Sequence, residues 1–270
     1  MSRGLLFFIL VLLTPLACAN SFRLISSTPQ QGSMIIAEVG DEVSVYLDRR
    51  QLKKTPDNKV VFGVGRDAAE TITLELRSPV GSQSLAIPIR KRNWKVERVN
   101  GLPPEKVTPK SAQALVRIKN ESKLVKGARQ TESTLPFFAM PFVLPARGRI
   151  SGVYGSQRVL NGEKKRPHFG LDIANAIGTS VIAPADGVVT MVHPDMYYSG
   201  ATIVIDHGFG INSTYLHLNS IEVTVGQKVV QGETIATIGA SGRATGPHLD
   251  WRLNWFQTRL DPQLLIAKMN

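Results

Sequence analysis

Gly246-Pro247-His248-Leu249-Asp250-Trp251 decides how this chain reads. On a strand, His248 and Asp250 point to one face while Leu249 and Trp251 point to the other. Tyr215-Leu216-His217-Leu218 reads the same way, with the two leucines on one face and Tyr215 and His217 on the opposite one. Polar groups side by side on a strand face, with apolar ones behind, are how a sheet presents a site and keeps its core. Working outward, glycines at 148, 152, 155, 170, 187, 208, 226, 232, 239, 242 and 246 punctuate short apolar runs such as Thr202–Ile205 and Thr234–Ile238. Many short strands with tight turns predict a mostly antiparallel β domain over 141–270.

Upstream, the pattern is again period-two. Val43, Val45 and Leu47 alternate with polar neighbours, as do Ile72, Leu74 and Leu76, and Leu85, Ile87 and Ile89. The turn-rich segments Thr55-Pro56-Asp57-Asn58 and Ser78-Pro79-Val80-Gly81 separate them, so residues 20–105 read as a small β-sandwich without histidine. Over 106–140 the spacing predicts a helix and a polar linker. Thr108 stands as N-cap, Pro109 as first helical residue, Gly127 as the stop, and Leu115, Ile118 and Val125 as the apolar stripe.

The first nineteen residues carry a different message. Arg3, the apolar run Gly4–Leu13 and the small-residue site Ala17-Cys18-Ala19 describe a secretory signal peptide, too short for a membrane span. Cys18 is the only cysteine of the 270 residues. Cleavage after Ala19 leaves none for disulfides; acylation of Cys18 is the lipoprotein alternative. The expected location is the periplasm or cell envelope. The net charge is +11, and a basic exported protein is drawn to polyanions such as an acidic cell wall, whereas export argues against nucleic acid. Of the basic runs, Lys164-Lys165-Arg166 lies just before a histidine and Arg90-Lys91-Arg92 reads as a solvated face.

All five histidines (168, 193, 207, 217 and 248) fall in the C-terminal half. His168-Phe169-Gly170-Leu171-Asp172 supplies an imidazole and a carboxylate four apart, which share a face on helix or strand alike; Gly170 favours strand or loop. Imidazole and carboxylate both suit a borderline ion such as zinc, and three protein ligands plus a water form a hydrolytic site. His207 reads as a structural turn residue and His193 as peripheral.

The stretch from about 148 to 262 resembles the M23 family of zinc metallopeptidases, the lysostaphin-like or LytM-type domain that cuts peptide cross-links in peptidoglycan. The matching segments are Gly148–Ser151, His168–Asp172, Gly178–Gly187, Tyr215–Leu218, Val225–Gly232 and Gly242–His248. The resemblance implies one zinc per chain held by His168 and Asp172, with His217 and His248 as the catalytic pair. The family's third ligand is the second histidine of an H-x-H motif, and here that position is Asp250. A carboxylate oxygen binds zinc at nearly the distance an imidazole nitrogen does, so a His168/Asp172/Asp250 site is chemically reasonable, though a weaker Lewis acid. The expected substrate is peptidoglycan, with other cell-wall enzymes as possible partners. The alternatives are a non-catalytic LytM-like regulator of another wall hydrolase, or a biotin- or lipoyl-type carrier; Lys228 lacks the setting the carrier needs.

Overall fold

The computed structural model describes residues 21–26, 28–101 and 111–266. The signal-peptide reading and the Thr108–Pro109 helix start lie outside them. No helix among the described residues is long and apolar enough to cross a membrane.

The N-terminal strands form two antiparallel sheets. One pairs Phe22–Leu24, Met34–Val39 and Lys59–Gly63; the other pairs Arg50–Leu52, Ser44–Leu47, Thr71–Ser78 and Gly81–Pro88. Their inward positions are the alternating residues of the sequence. Val43, Val45, Leu47, Leu74, Leu76, Ile87 and Ile89 are buried, with Ile72 and Leu85 packed against them. The two turn-rich segments are turns, Asn58 taking a left-handed φ of 59° and Gly81 one of 137°.

A larger antiparallel sheet occupies the C-terminal half. Its main path runs Lys228–Val229, Gly187–Met196, Gly200–Asp206, Ile211–Ile221, His248–Trp255, Leu171–Ala174 and Arg149–Gly152. Leu249, Trp251 and Leu253 are wholly buried on one face of the strand His248–Trp255, and one continuous apolar cluster joins them to the N-terminal sheets. A third small sheet was not expected. Val96–Val99 pairs in parallel with Gln157–Leu160, which forms a hairpin with Glu163–Lys164. A strand from the N-terminal half thereby braces the segment leading into His168.

The helix spans Ala112–Ala128, and the Ser111 hydroxyl accepts a hydrogen bond from the Ala114 amide at 3.1 Å as its N-cap. Gly127 does not end it. Val125 and Ala128 pack on Met191, Met196 and Val204, and that contact carries the helix past the glycine to its C-cap, Arg129. Leu115 is exposed, so the buried stripe is narrower than the sequence suggested.

Candidate metal centre

Register builds the site. Leu171–Ala174 and His248–Trp255 are antiparallel neighbours with Asp172 directly opposite Asp250, so the two carboxylates stand side by side on one face. Both are buried. His168 precedes the strand in an extended segment. Its amide donates to Ser156 O and its carbonyl accepts from Gly155 N, both at 2.8 Å, and this fixes the ring over Asp172. His168 Nε2 lies 3.1 Å from Asp172 Oδ1. His168, Asp172 and Asp250 each offer a ligand atom, and these atoms lie within 4.8 Å of one another.

Two glycines leave room for the carboxylates. A Cβ on Gly152 would stand 2.3 Å from Asp172 Oδ2, and one on Gly170 would stand 2.0 Å from Asp250 Oδ1. The choice of glycine in His168–Asp172 is therefore set by the neighbouring strand.

Buried polar atoms normally find partners, because an unpaired one carries its full desolvation penalty. His168 Nδ1, His168 Nε2 and Asp172 Oδ1 make no hydrogen bond among the described residues. Orphaned donor-capable atoms of this kind, converging with a third carboxylate, fit a divalent cation. Asp250 is more heavily engaged. Arg252 Nη2 donates to Oδ2 at 2.5 Å and Arg252 Nε approaches Oδ1 at 3.0 Å. Burial pushes Asp250 up, but the charges of Arg252 and His168 outweigh it and hold the carboxyl well below the usual range. Arg158 stands 3.4 Å from Asp172 Oδ2 and 3.8 Å from Glu97 on the bracing strand. Sequence reading missed both arginines; Arg252 was visible only as the next residue on the polar face of Asp250.

His217 and His248 meet beside this cluster, ring centroids 4.8 Å apart. They arrive by a route that strict alternation misjudges. Tyr215 opposes Trp251 and lies in the core, whereas Leu216 opposes Asp250. His217 then takes a left-handed φ of 63° and donates its amide to Ser199 O, which turns its side chain out of the core and toward His248. Tyr215 and His217 do not share a face. Each ring is oriented through Nδ1, 2.8 Å from Ser241 O for His217 and 2.8 Å from Gly246 O for His248. A carbonyl partner makes Nδ1 the protonated nitrogen and leaves Nε2 as the reactive one. Burial lowers the His217 pKa, partly offset by Asp250, so the ring is neutral at neutral pH and able to accept a proton.

His207 is elsewhere and fully satisfied, with Nδ1 2.7 Å from Asp186 O and Nε2 2.7 Å from Ser213 Oγ. His193 sits apart, accepting from the Asp195 amide. Neither reaches the centre, as the sequence led us to expect.

The antiparallel sheet bears buried His and Asp side chains beside a histidine pair, and residues 166–262 match the model of peptidase family M23. That match lies in the C-terminal half of the chain. It is 42% identical over 115 residues to peptidoglycan DD-endopeptidase ShyA of Vibrio cholerae, covering 42% of this chain and 26% of that protein. DD-carboxypeptidase/endopeptidase Mpg of Neisseria meningitidis is 38% identical over 103 residues, covering 38% of this chain and 24% of Mpg. The matches thus span about a quarter of these relatives. A crystal structure assigned to peptidase M23 from Pseudomonas aeruginosa superposes with a TM-score of 0.68 at 26% identity, over 89% of this chain and 96% of that one.

Proposed function

We propose that this chain is an exported zinc endopeptidase that hydrolyses peptide cross-links of peptidoglycan. The observation that carries the reading is the convergence of unpartnered His168 Nε2 and Asp172 Oδ1 with Asp250, next to two histidines whose rings are each oriented through Nδ1. A regulator without chemistry needs neither. The family match and the names of the relatives support the same reaction class.

In this reading His168, Asp172 and Asp250 hold the zinc, which would supply Lewis acidity toward a water and the scissile carbonyl. Arg252 holds Asp250 in place, and Arg158 does so for Asp172. His217 and His248 divide the proton work through Nε2: one accepts from the attacking water, the other stabilises the oxyanion and protonates the leaving amine. Export through residues 1–19 and a division into a β-rich region (20–105), a helix and linker (106–140) and a peptidase region (141–270) complete the proposal.

Metal analysis of protein purified without chelators, paired with digestion of cross-linked muropeptides, tests it. The expected result is one zinc per chain and cleavage abolished by chelation, with Asp250→Ala losing both. A folded protein that is empty of metal and inert, or a fully active Asp250→Ala variant, would overturn it.

A further inference from the structure

The face that carries the candidate metal centre holds more cationic charge than it balances. Arg252 lies two residues beyond Asp250 on the same strand and opposes Thr214 in register. Arg129, at the C-cap of the helix, approaches that Thr214 from above, its Nη2 3.3 Å from the hydroxyl. It is only 5% exposed, and its Nε makes no hydrogen bond among the described residues. Arg259 enters from the strand Thr258–Leu260, half-buried, with Nη1 donating to Asn254 Oδ1 at 2.8 Å. Asn254 is the next residue along the same face.

Among the described residues only one of these three guanidiniums has an ion pair, Arg252 with Asp250. Two buried carboxylates, Asp250 and Asp172, therefore face three cations, and Asp172 acts on Arg252 alone of the three. Asp250 gives its hydrogen bonds to Arg252 and acts on Arg129 and Arg259 only through its charge, with no ion pair to either. The strain registers in the charges themselves. Burial and the repulsion of Arg259 and Arg252 push Arg129 well below the ordinary guanidinium range, and burial together with Arg252 brings Arg259 down to about 9. Folded proteins pair buried charges or bind something that does.

We propose that Arg129, Arg252 and Arg259 form a carboxylate-binding subsite adjoining the metal centre, which holds a free carboxylate of the peptide substrate. The proposal rests on the peptidase reading for its ligand. Guanidinium forks match planar carboxylates in a bidentate way; Arg259 is the partly open member without an ion pair, Arg252 adds its charge while its fork holds Asp250, and Arg129 forms the buried back wall. Arg252 is two strand positions from Asp250, a separation of about 7 Å at the rise of an extended chain. An extended substrate lying along the face would then place its carboxylate about two residues from the bond cut at the metal.

The test separates binding from catalysis. Mature protein stripped of metal with neutral 1,10-phenanthroline is titrated calorimetrically with acetyl-D-alanyl-D-alanine, its C-terminal amide, and inorganic phosphate. The carboxylate should bind and the amide should bind at least tenfold more weakly. Arg259→Gln should weaken the carboxylate at least tenfold and leave the amide unchanged. In the ligand-free state Arg129→Gln should melt no lower than wild type, because it removes an unbalanced charge. Equal binding of acid and amide, or phosphate binding without carboxylate binding, overturns the proposal; so does a lower melting temperature for Arg129→Gln together with undiminished carboxylate binding by Arg259→Gln. Because the titration uses stripped protein, a failure of hydrolysis leaves this result readable. In metal-loaded protein, Arg259→Gln should raise KM for acid muropeptides at least tenfold, with little change in kcat or zinc content.

Discussion

The two ends of the strand Ile211–Ile221 carry histidines with opposite fates. Before its start, His207 is buried with both ring nitrogens bonded, packed edge-on against Phe142 at 5.1 Å. Near its far end, His217 is also buried, with Nδ1 bonded to Ser241 O, its ring against a second histidine and within the field of Asp250. Burial is shared, so burial does not mark a reactive histidine. What differs is the nitrogen left over: His207 has none, and His217 has Nε2, on a ring 4.8 Å from that of His248. The backbone draws the same line, because only His217 needs a left-handed residue to leave the core.

Swapping each ring for alanine gives the widest separation between the two. His217→Ala should lower kcat by roughly 10²–10⁴-fold, the usual share of a general acid or base, while zinc content and melting temperature stay near wild type. His207→Ala should do the reverse. It strands Asp186 O, removes one of the two partners of Ser213 Oγ and opens a cavity, costing about 2–4 kcal/mol, with activity per folded molecule retained. Muropeptide assays and denaturant melts on both variants check this; a His217→Ala variant with wild-type kcat breaks the contrast.

Acid exposes the difference next. Burial holds the folded His207 pKa down to about 4, against 6.5 for an ordinary imidazole. Between those values the unfolded chain binds a proton that the folded chain refuses. Stability from this group is therefore full above pH 6.5 and drains as pH falls toward 4, by about 3 kcal/mol over the window. Urea melts at pH 7 and pH 4.5 should show the loss in wild type and a shallower slope in His207→Gln. An equal slope in both would mean that other groups control acid stability.

Much of this was readable from residue order. The alternation at His248–Trp251 predicted which side chains face the site and which fill the core, and period-two runs in 43–89 predicted the N-terminal sheets. His168 and Asp172 come together, Nε2 3.1 Å from Oδ1, as a shared face requires. The misreadings have a common cause. Strict alternation put Tyr215 beside His217, and only a single positive φ undoes it; that angle follows from the packing of Ser199 and Ser241, remote in sequence. Arg252 as the partner of Asp250, and Arg129 as a neighbour from the helix, depend on register and on where the helix docks. The strand Val96–Val99 carries no apolar alternation of its own and is defined by its partner.

Glycines give the finest version of the comparison, because each histidine region has one whose missing Cβ is essential. At the metal centre, a Cβ on Gly170 would fall 2.0 Å from Asp250 Oδ1, and no positive φ forbids alanine there. Gly170→Ala must therefore displace the carboxylate first, with a smaller shift at Trp251 O and the Arg252 side chain, both 2.9 Å from the added Cβ. A shift in the surroundings of a metal ligand typically weakens binding roughly 10–100-fold, which zinc competition against a fluorescent chelator would read directly. Beside His207, a Cβ on Gly187 would fall 2.4 Å from Ile205 Cγ2 and 2.9 Å from Asp206 O, and 3.1 Å from His207 Nδ1. Gly187→Ala crowds the core, so overpacking should cost about 1–3 kcal/mol of stability while zinc affinity is unchanged. If Gly170→Ala binds zinc as tightly as wild type, Asp250 is not a ligand, and its carboxylate serves Arg252 alone.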